Sequence, residues 1–139
     1  MPYMLDTNTV SYLLHRRSAK LQARIDKLSR EERLTISVIT EAEMRYGVAL
    51  KPAAHRLANA VESILSGLEI LPWTSEAARA FAMLRAENRS RGLAAGSFDL
   101  LIAAHALSSG AVLVTSDAAI LKLAGGLVTV NWANDLRPN

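Results

Sequence analysis

The chain has 139 residues, 50% of them hydrophobic, and sixteen Lys and Arg against thirteen Asp and Glu give a formal charge of +3. That size suits one compact domain with a real core, residues 1–139, and excludes two ordinary domains. Cysteine is absent, which rules out disulfides and thiolate metal sites and suits a reducing cytoplasm, and neither a signal-peptide pattern nor a membrane-length apolar run is present.

The first apolar run, Tyr3–Leu5, reads as a strand that stops on Asp6, with Thr7, Asn8 and Thr9 directly behind it. A helix is predicted over 8–15 and another over 18–29, where Leu21, Ile25 and Leu28 recur at helical spacing. Arg16, Arg17, Lys20, Arg24, Lys27, Arg30 and Arg33 crowd this quarter, either as a solvated basic face or as a phosphate-facing stripe. Leu34–Ser37 reads as the second strand, followed by helices over 40–50 and 53–66 and a third strand at Glu69–Leu71. A helix over 75–91 carries Arg85 and Arg89 one turn apart and leads through Arg91 into the Gly92–Gly96 loop. The helix over 98–108 is very apolar and opens on Asp99. Ala111–Thr115 is the fourth strand, a short helix is predicted near 117–123, and Leu127–Val130 closes the set before a frayed end at Arg137–Asn139.

Val112-Leu113-Val114 is apolar on both faces rather than alternating, as in a parallel strand covered by helices on both sides. Strand–helix alternation therefore predicts an α/β fold built on a parallel sheet. Open parallel sheets gather their functional groups at the carboxyl ends of the strands, which directs Asp6 to that edge.

Four acids stand in apolar settings: Asp6 after Met4-Leu5, Glu43 in ITEAEMRYGV, Asp99 in SFDLLIAAHA and Asp117 in VLVTSDAAI. Each has a plain alternative as a helix-start residue. Thr40 and Glu43 match the Thr-x-x-Glu capping box, Asp6 could cap the next helix, and Asp99 and Asp117 would favour the positive end of a helix dipole. Together, however, four carboxylates sent to one end of a small sheet repel one another unless protonated or held by a cation. No Lys or Arg is placed beside all four, so a divalent metal is the economical answer. An all-oxygen donor set with no Cys and with scattered His15, His55 and His105 suits magnesium or manganese rather than zinc. Thr7, Asn8, Thr115 and Ser116 then read as groups that fix carboxylate orientation. His105 reads as a packing residue. Phosphate-binding P-loops, dinucleotide-binding glycine motifs and serine-nucleophile elbows are all missing.

MLDTNTVSYLL, ISVITEAEMRYGV, SFDLLIAAHAL, AVLVTSD and the closing VNW together resemble PIN-domain proteins of the VapC type, the toxin ribonucleases of toxin–antitoxin pairs. The resemblance runs from Met4 to Trp132 with its segments in the family's order. It implies a three-layer α/β/α sandwich with a central parallel sheet and a magnesium- or manganese-dependent endoribonuclease. It also matches Asp6, Glu43 and Asp99 to the family's acidic triad, and Asp117 to a fourth position that is acidic in many members. A VapB-type antitoxin, a homodimer and a higher toxin–antitoxin complex are the implied partners. Beyond TSD, Ile120 and Leu121 stand where many relatives carry a further acid and a Phe, so no fifth acidic ligand is expected. Basic residues should guide the RNA backbone, with Arg85, Arg89 and Arg91 as candidates. The rivals are a catalytically weak PIN domain that mainly binds its antitoxin, and a phosphoacceptor receiver, which would need a second acid at the first strand. With two Phe, three Tyr and two Trp, no base-stacking platform can be singled out.

Overall fold

The computed structural model describes residues 1–15, 19–123 and 126–132. Arg16, Arg17, the expected start of the second helix at residue 18 and the Arg137–Asn139 end lie outside the described residues. The strands are β1 (Tyr3–Leu5), β2 (Leu34–Ser37), β3 (Glu69–Leu71), β4 (Val112–Val114) and β5 (Thr129–Val130). Seven helices accompany them among the described residues: α1 (Thr7–His15), α2 (Ala19–Glu31), α3 (Val38–Ala49), α4 (His55–Ser66), α5 (Ser75–Ser90), α6 (Ser97–Ser108) and α7 (Ala118–Lys122).

All five strands are parallel, in the order β3-β2-β1-β4-β5. A receiver domain would have its first strand between the second and third, so this order removes that rival. Successive strand residues face opposite sides of the sheet, and the core divides accordingly. Met4 and Leu113 turn into a layer with Leu84 of α5, Leu100 and Ile102 of α6 and Ile120 of α7. Leu5, Ile36 and Val114 turn the other way, to Val10 of α1, Leu21 of α2, Met44 of α3 and Val61 and Leu65 of α4. Burial on both faces explains why β1 and β4 are continuously apolar. The result is the expected helix–sheet–helix sandwich.

α6 lies deep, with Leu100, Ile102, Ala103, Ala104, His105 and Ala106 all buried. Its alanines are small enough to let α5 approach closely. α5 starts on a Thr74 hydroxyl that accepts from the Ala77 amide at 3.1 Å. It ends at Gly92, whose φ of 63° supplies the left-handed residue that stops a helix. That turn sends the chain back through residues 93–96 to start α6.

The strand order turns around at β1. β2 and β3 build outward on one side, β4 and β5 on the other. The crevice at such a point, outside the carboxyl ends of β1 and β4, is where open α/β sheets bind ligands. The register pairs Leu5 with Val114, and the pairing continues with the Asp6 amide donating to the Val114 carbonyl at 3.1 Å. Asp6 and Thr115 therefore leave the sheet side by side.

Candidate active site

Asp6 is delivered by β1 and is 5% exposed. Its Oδ1 accepts from the Thr9 amide at 2.8 Å and from the Thr9 hydroxyl at 2.6 Å. The carboxylate thus caps α1 while facing the edge of the sheet. Burial raises its pKa above the ordinary carboxylate value; the two Thr9 bonds and the Thr115 hydroxyl oppose the rise, and the Asp117 charge adds to it.

Glu43 stands in the second turn of α3. That helix begins at Val38, earlier than expected, because the Ser37 hydroxyl accepts from the Ile39 amide at 3.0 Å and caps it. Thr40 is consequently a buried helix residue, and the capping box with Glu43 does not form. Glu43 instead takes a hydrogen bond at Oε1 from the Thr7 hydroxyl at 2.7 Å, and the same hydroxyl lies 3.1 Å from that of Thr40.

Asp99 sits in the first turn of α6, behind a Gly96 cap that offers no side chain. Neither of its oxygens carries a hydrogen bond among the described residues. Its pKa is raised first by burial, then by the charges of Asp117, Asp6 and Glu43. Three acids from three other segments therefore share its field.

Asp117 follows β4 and caps α7, its Oδ1 accepting from the Ile120 amide at 2.8 Å. Its own amide donates to the Thr115 hydroxyl at 3.1 Å, which fixes the turn between strand and helix. The plain capping reading thus holds for Asp6 and Asp117 and coexists with their place at the site. For Asp99 the helix-dipole alternative also holds, since it lies in the first turn of α6, whereas the capping box fails for Glu43.

The supporting hydroxyls differ from expectation. Thr7 holds Glu43, not Asp6, because the first residue of α1 faces α3. Thr9, which the sequence reading passed over, holds Asp6; an Asp followed three residues later by Thr, where a cap meets its helix, was the available signal. Asn8 is exposed on the outer side of α1, in a shallow cavity with Ser11, Tyr12 and His15, and makes no bond to an acid. Ser116 is likewise exposed and makes no hydrogen bond among the described residues, since Thr115 does the turn's work.

Of the three arginines expected to meet RNA, Arg91 is occupied. It donates to the Lys122 carbonyl at 2.7 Å and pairs with Glu87 at 3.3 Å, tying the end of α5 to α7. The Arg85 guanidinium lies 5.8 Å from the Phe81 ring centre. Arg89 is exposed with no ion-pair partner among the described residues. His105 is a packing residue, as expected: buried, with Nδ1 2.7 Å from the Ser37 hydroxyl and its ring edge-on to Trp73 at 5.4 Å. Burial lowers its pKa, which keeps it neutral.

Among the described residues no Lys or Arg forms an ion pair with any of the four acids. Nor are three His, Asp or Glu side chains gathered tightly enough there to close round an ion as they stand. The arrangement is open: oxygen donors come from four segments, and the charges of Asp6, Glu43 and Asp117 all bear on Asp99. Such a donor set fits a hard divalent ion that keeps several of its own waters, and fits zinc poorly. α7 adds no further acid, with Ile120 buried and Leu121 exposed in that region.

A family model described as the PIN domain matches residues 3–126. A protein from Rickettsia felis named ribonuclease VapC2 is 33% identical over 95% of this chain and 98% of its own length. A Salmonella typhimurium protein named tRNA(fMet)-specific endonuclease VapC is 32% identical over 95% and 98%. Among solved structures, that of VapBC2 from Rickettsia felis bound to a promoter DNA fragment superposes with a TM-score of 0.88 at 32% identity, covering 95% of this chain and 99% of the other.

Proposed function

The chain belongs to the PIN-domain family, and on that premise we propose that it is a VapC-type toxin, an endoribonuclease that hydrolyses RNA phosphodiester bonds with magnesium or manganese. The observation that carries this reading is the convergence on Asp99: acids at the end of β1, in α3 and in the β4–α7 turn all raise its pKa, and among the described residues no Lys or Arg pairs with any of the four. That is an arrangement whose cost is relieved by a cation and not by the protein's own charges.

Asp6, Glu43, Asp99 and Asp117 would hold the ion. When bound it supplies Lewis acidity, both to a water and to the phosphate charge that develops during cleavage. The rest falls to the chain. Thr9 keeps Asp6 pointing out of the sheet, Thr7 keeps Glu43 turned toward β1, and the Thr115–Asp117 turn fixes the fourth acid. Asp99, with no hydrogen bond among the described residues, is the carboxylate free to turn toward ion or water. Arg89 is the arginine best placed by its freedom to meet the RNA backbone, whereas Arg91 serves the fold.

The partners follow from the same membership. A VapB-type antitoxin is the cognate inhibitor, and a homodimer within a larger toxin–antitoxin complex is the assembly proposed. No helix among the described residues is long and apolar enough to cross a membrane, and the proposed location is the cytoplasm. The Salmonella relative's name makes initiator tRNA the first substrate to try. The rival of a catalytically weak domain draws no support from the site, where all four acids are present.

The test is cleavage of RNA by purified protein in magnesium or manganese, abolished by chelator. Asp6→Asn keeps the Thr9 bonds through its amide oxygen, so it should fold normally and cleave nothing. Asp99→Asn should behave alike. Full activity in both variants would sink the assignment.

A further inference from the structure

Seven aromatic residues serve this chain, and five are committed to its interior or its packing. Tyr3 and Trp132 stack at 6.1 Å, Trp73 meets His105, Phe81 lies under Arg85, and Tyr12 is half-buried on α1. The remaining two, Tyr46 and Phe98, are 65% and 57% exposed and belong to neither core layer. They are not scattered. Both line one cavity of about 470 Å³, together with Ala42 and Glu43.

The placement follows from the two helices that carry the acids. Tyr46 is three residues beyond Glu43 on α3, so the two share a helix face. Phe98 directly precedes Asp99 in the first turn of α6. One wall of the cavity thus comes from α3 and the other from α6; Glu43 lines it, and Asp99 follows Phe98 directly in the chain. Ala42 between them is small enough to leave the space open.

We propose that Tyr46 and Phe98 form a base-binding cleft in which one unpaired RNA base stacks, so that the adjoining phosphate is presented to the acids. The proposal rests on the nuclease reading above and names the substrate form of that site. A nucleobase is the flat, uncharged part of a nucleic acid, and aromatic faces bind it with little regard to sequence. The phosphates beside it suit a cation-loaded site, and Glu43 lines both. A base in a duplex has its faces covered by its neighbours and cannot enter, so cleavage is confined to single-stranded or looped segments.

The test uses the full chain in chelator, so that binding is read without cleavage. Fluorescence anisotropy compares a labelled, unstructured RNA of mixed sequence with a strand of equal length made entirely of abasic nucleotides. The parent should bind the base-bearing strand on the order of tenfold to a hundredfold more tightly than the abasic one. Phe98→Ala and Tyr46→Ala should each shrink that ratio toward unity without changing affinity for the abasic strand, and Phe98→Trp should preserve it. Annealing a complementary strand should remove the preference in the parent. Melting curves establish that the variants are folded. An unchanged ratio in both alanine variants overturns the proposal. So does a variant that loses a dimer in sedimentation while its ratio stays put, since the aromatics would then join copies of the chain. If the parent cleaves no RNA in magnesium, the nuclease reading fails separately, while the abasic comparison still reports on the cleft.

Discussion

α3 carries two glutamates only two positions apart, and they live in opposite electrostatic worlds. Glu41 points outward, where Arg45 donates to it at 3.0 Å and reaches on to Glu62 at 2.5 Å. That surface group is neutralised by its neighbours, and the two carboxylates in turn raise the arginine's pKa. Glu43 points inward, has among the described residues only a threonine hydroxyl for a partner, and helps to raise the pKa of Asp99. An acid with its own cation is part of the surface. Acids that burden one another without one mark a place left for something else to bind.

The sharpest way to break this contrast is to neutralise each glutamate in turn. Glu43→Gln should reduce RNA cleavage to background at unchanged fold, measured by gel and by circular dichroism. Glu41→Gln should leave cleavage at the parent level and barely move the melting temperature, because exposed ion pairs contribute little. Equal effects of the two would erase the distinction.

Next in size is Thr9→Val. It keeps shape but removes a hydroxyl from a buried carboxylate, and should cost about 1–3 kcal/mol in denaturant unfolding. Thr7→Val should cost less stability and act instead on the ion, with a magnesium requirement raised roughly tenfold in cleavage assays. A smaller effect is expected from pH alone. Asp6 and Asp99 have raised pKa values, so the folded state holds protons that the unfolded state has already lost. Their contribution is complete below the ordinary carboxylate range and is lost as pH rises through the folded values. In chelator, the melting temperature should therefore fall over that interval. Asp6→Asn should flatten the fall, and magnesium should offset it in the parent. A profile in chelator that rises over that interval would contradict the unrelieved repulsion.

The first and fourth strands were legible because a buried parallel strand needs apolar residues on both faces, whereas Leu34–Ser37 and Glu69–Leu71 were short runs set between helical patterns. Tyr3–Leu5, Leu34–Ser37 and Glu69–Leu71 stand where the sequence puts them; the last two strands are shorter at their ends. The structure brings the four proposed acids into one field at Asp99, and the sequence singled them out because each is a charge in an apolar setting. Helix starts were less legible. Thr40 and Glu43 have a good capping spacing, and only the Ser37 hydroxyl, already bonded to Ile39, shows that the helix begins before them. The partners of Thr7 and Thr9 could not be assigned because α1 turns about 100° per residue, and which hydroxyl meets which acid depends on how α3 lies across it. Tyr46 and Phe98 are far apart in sequence and become neighbours only when α3 and α6 do.

The pairing of Leu5 with Val114 also sets a timetable. The proposed site draws on residues 6, 43, 99 and 117, and its two sheet-end acids come together only when β4 takes its place beside β1. A chain still on the ribosome has Asp6 early but lacks Asp117 until most of its length has been made. Synthesis therefore yields no assembled cutting centre from a partial chain. An antitoxin that engages the toxin as it finishes folding would meet the nuclease at the moment the nuclease first exists.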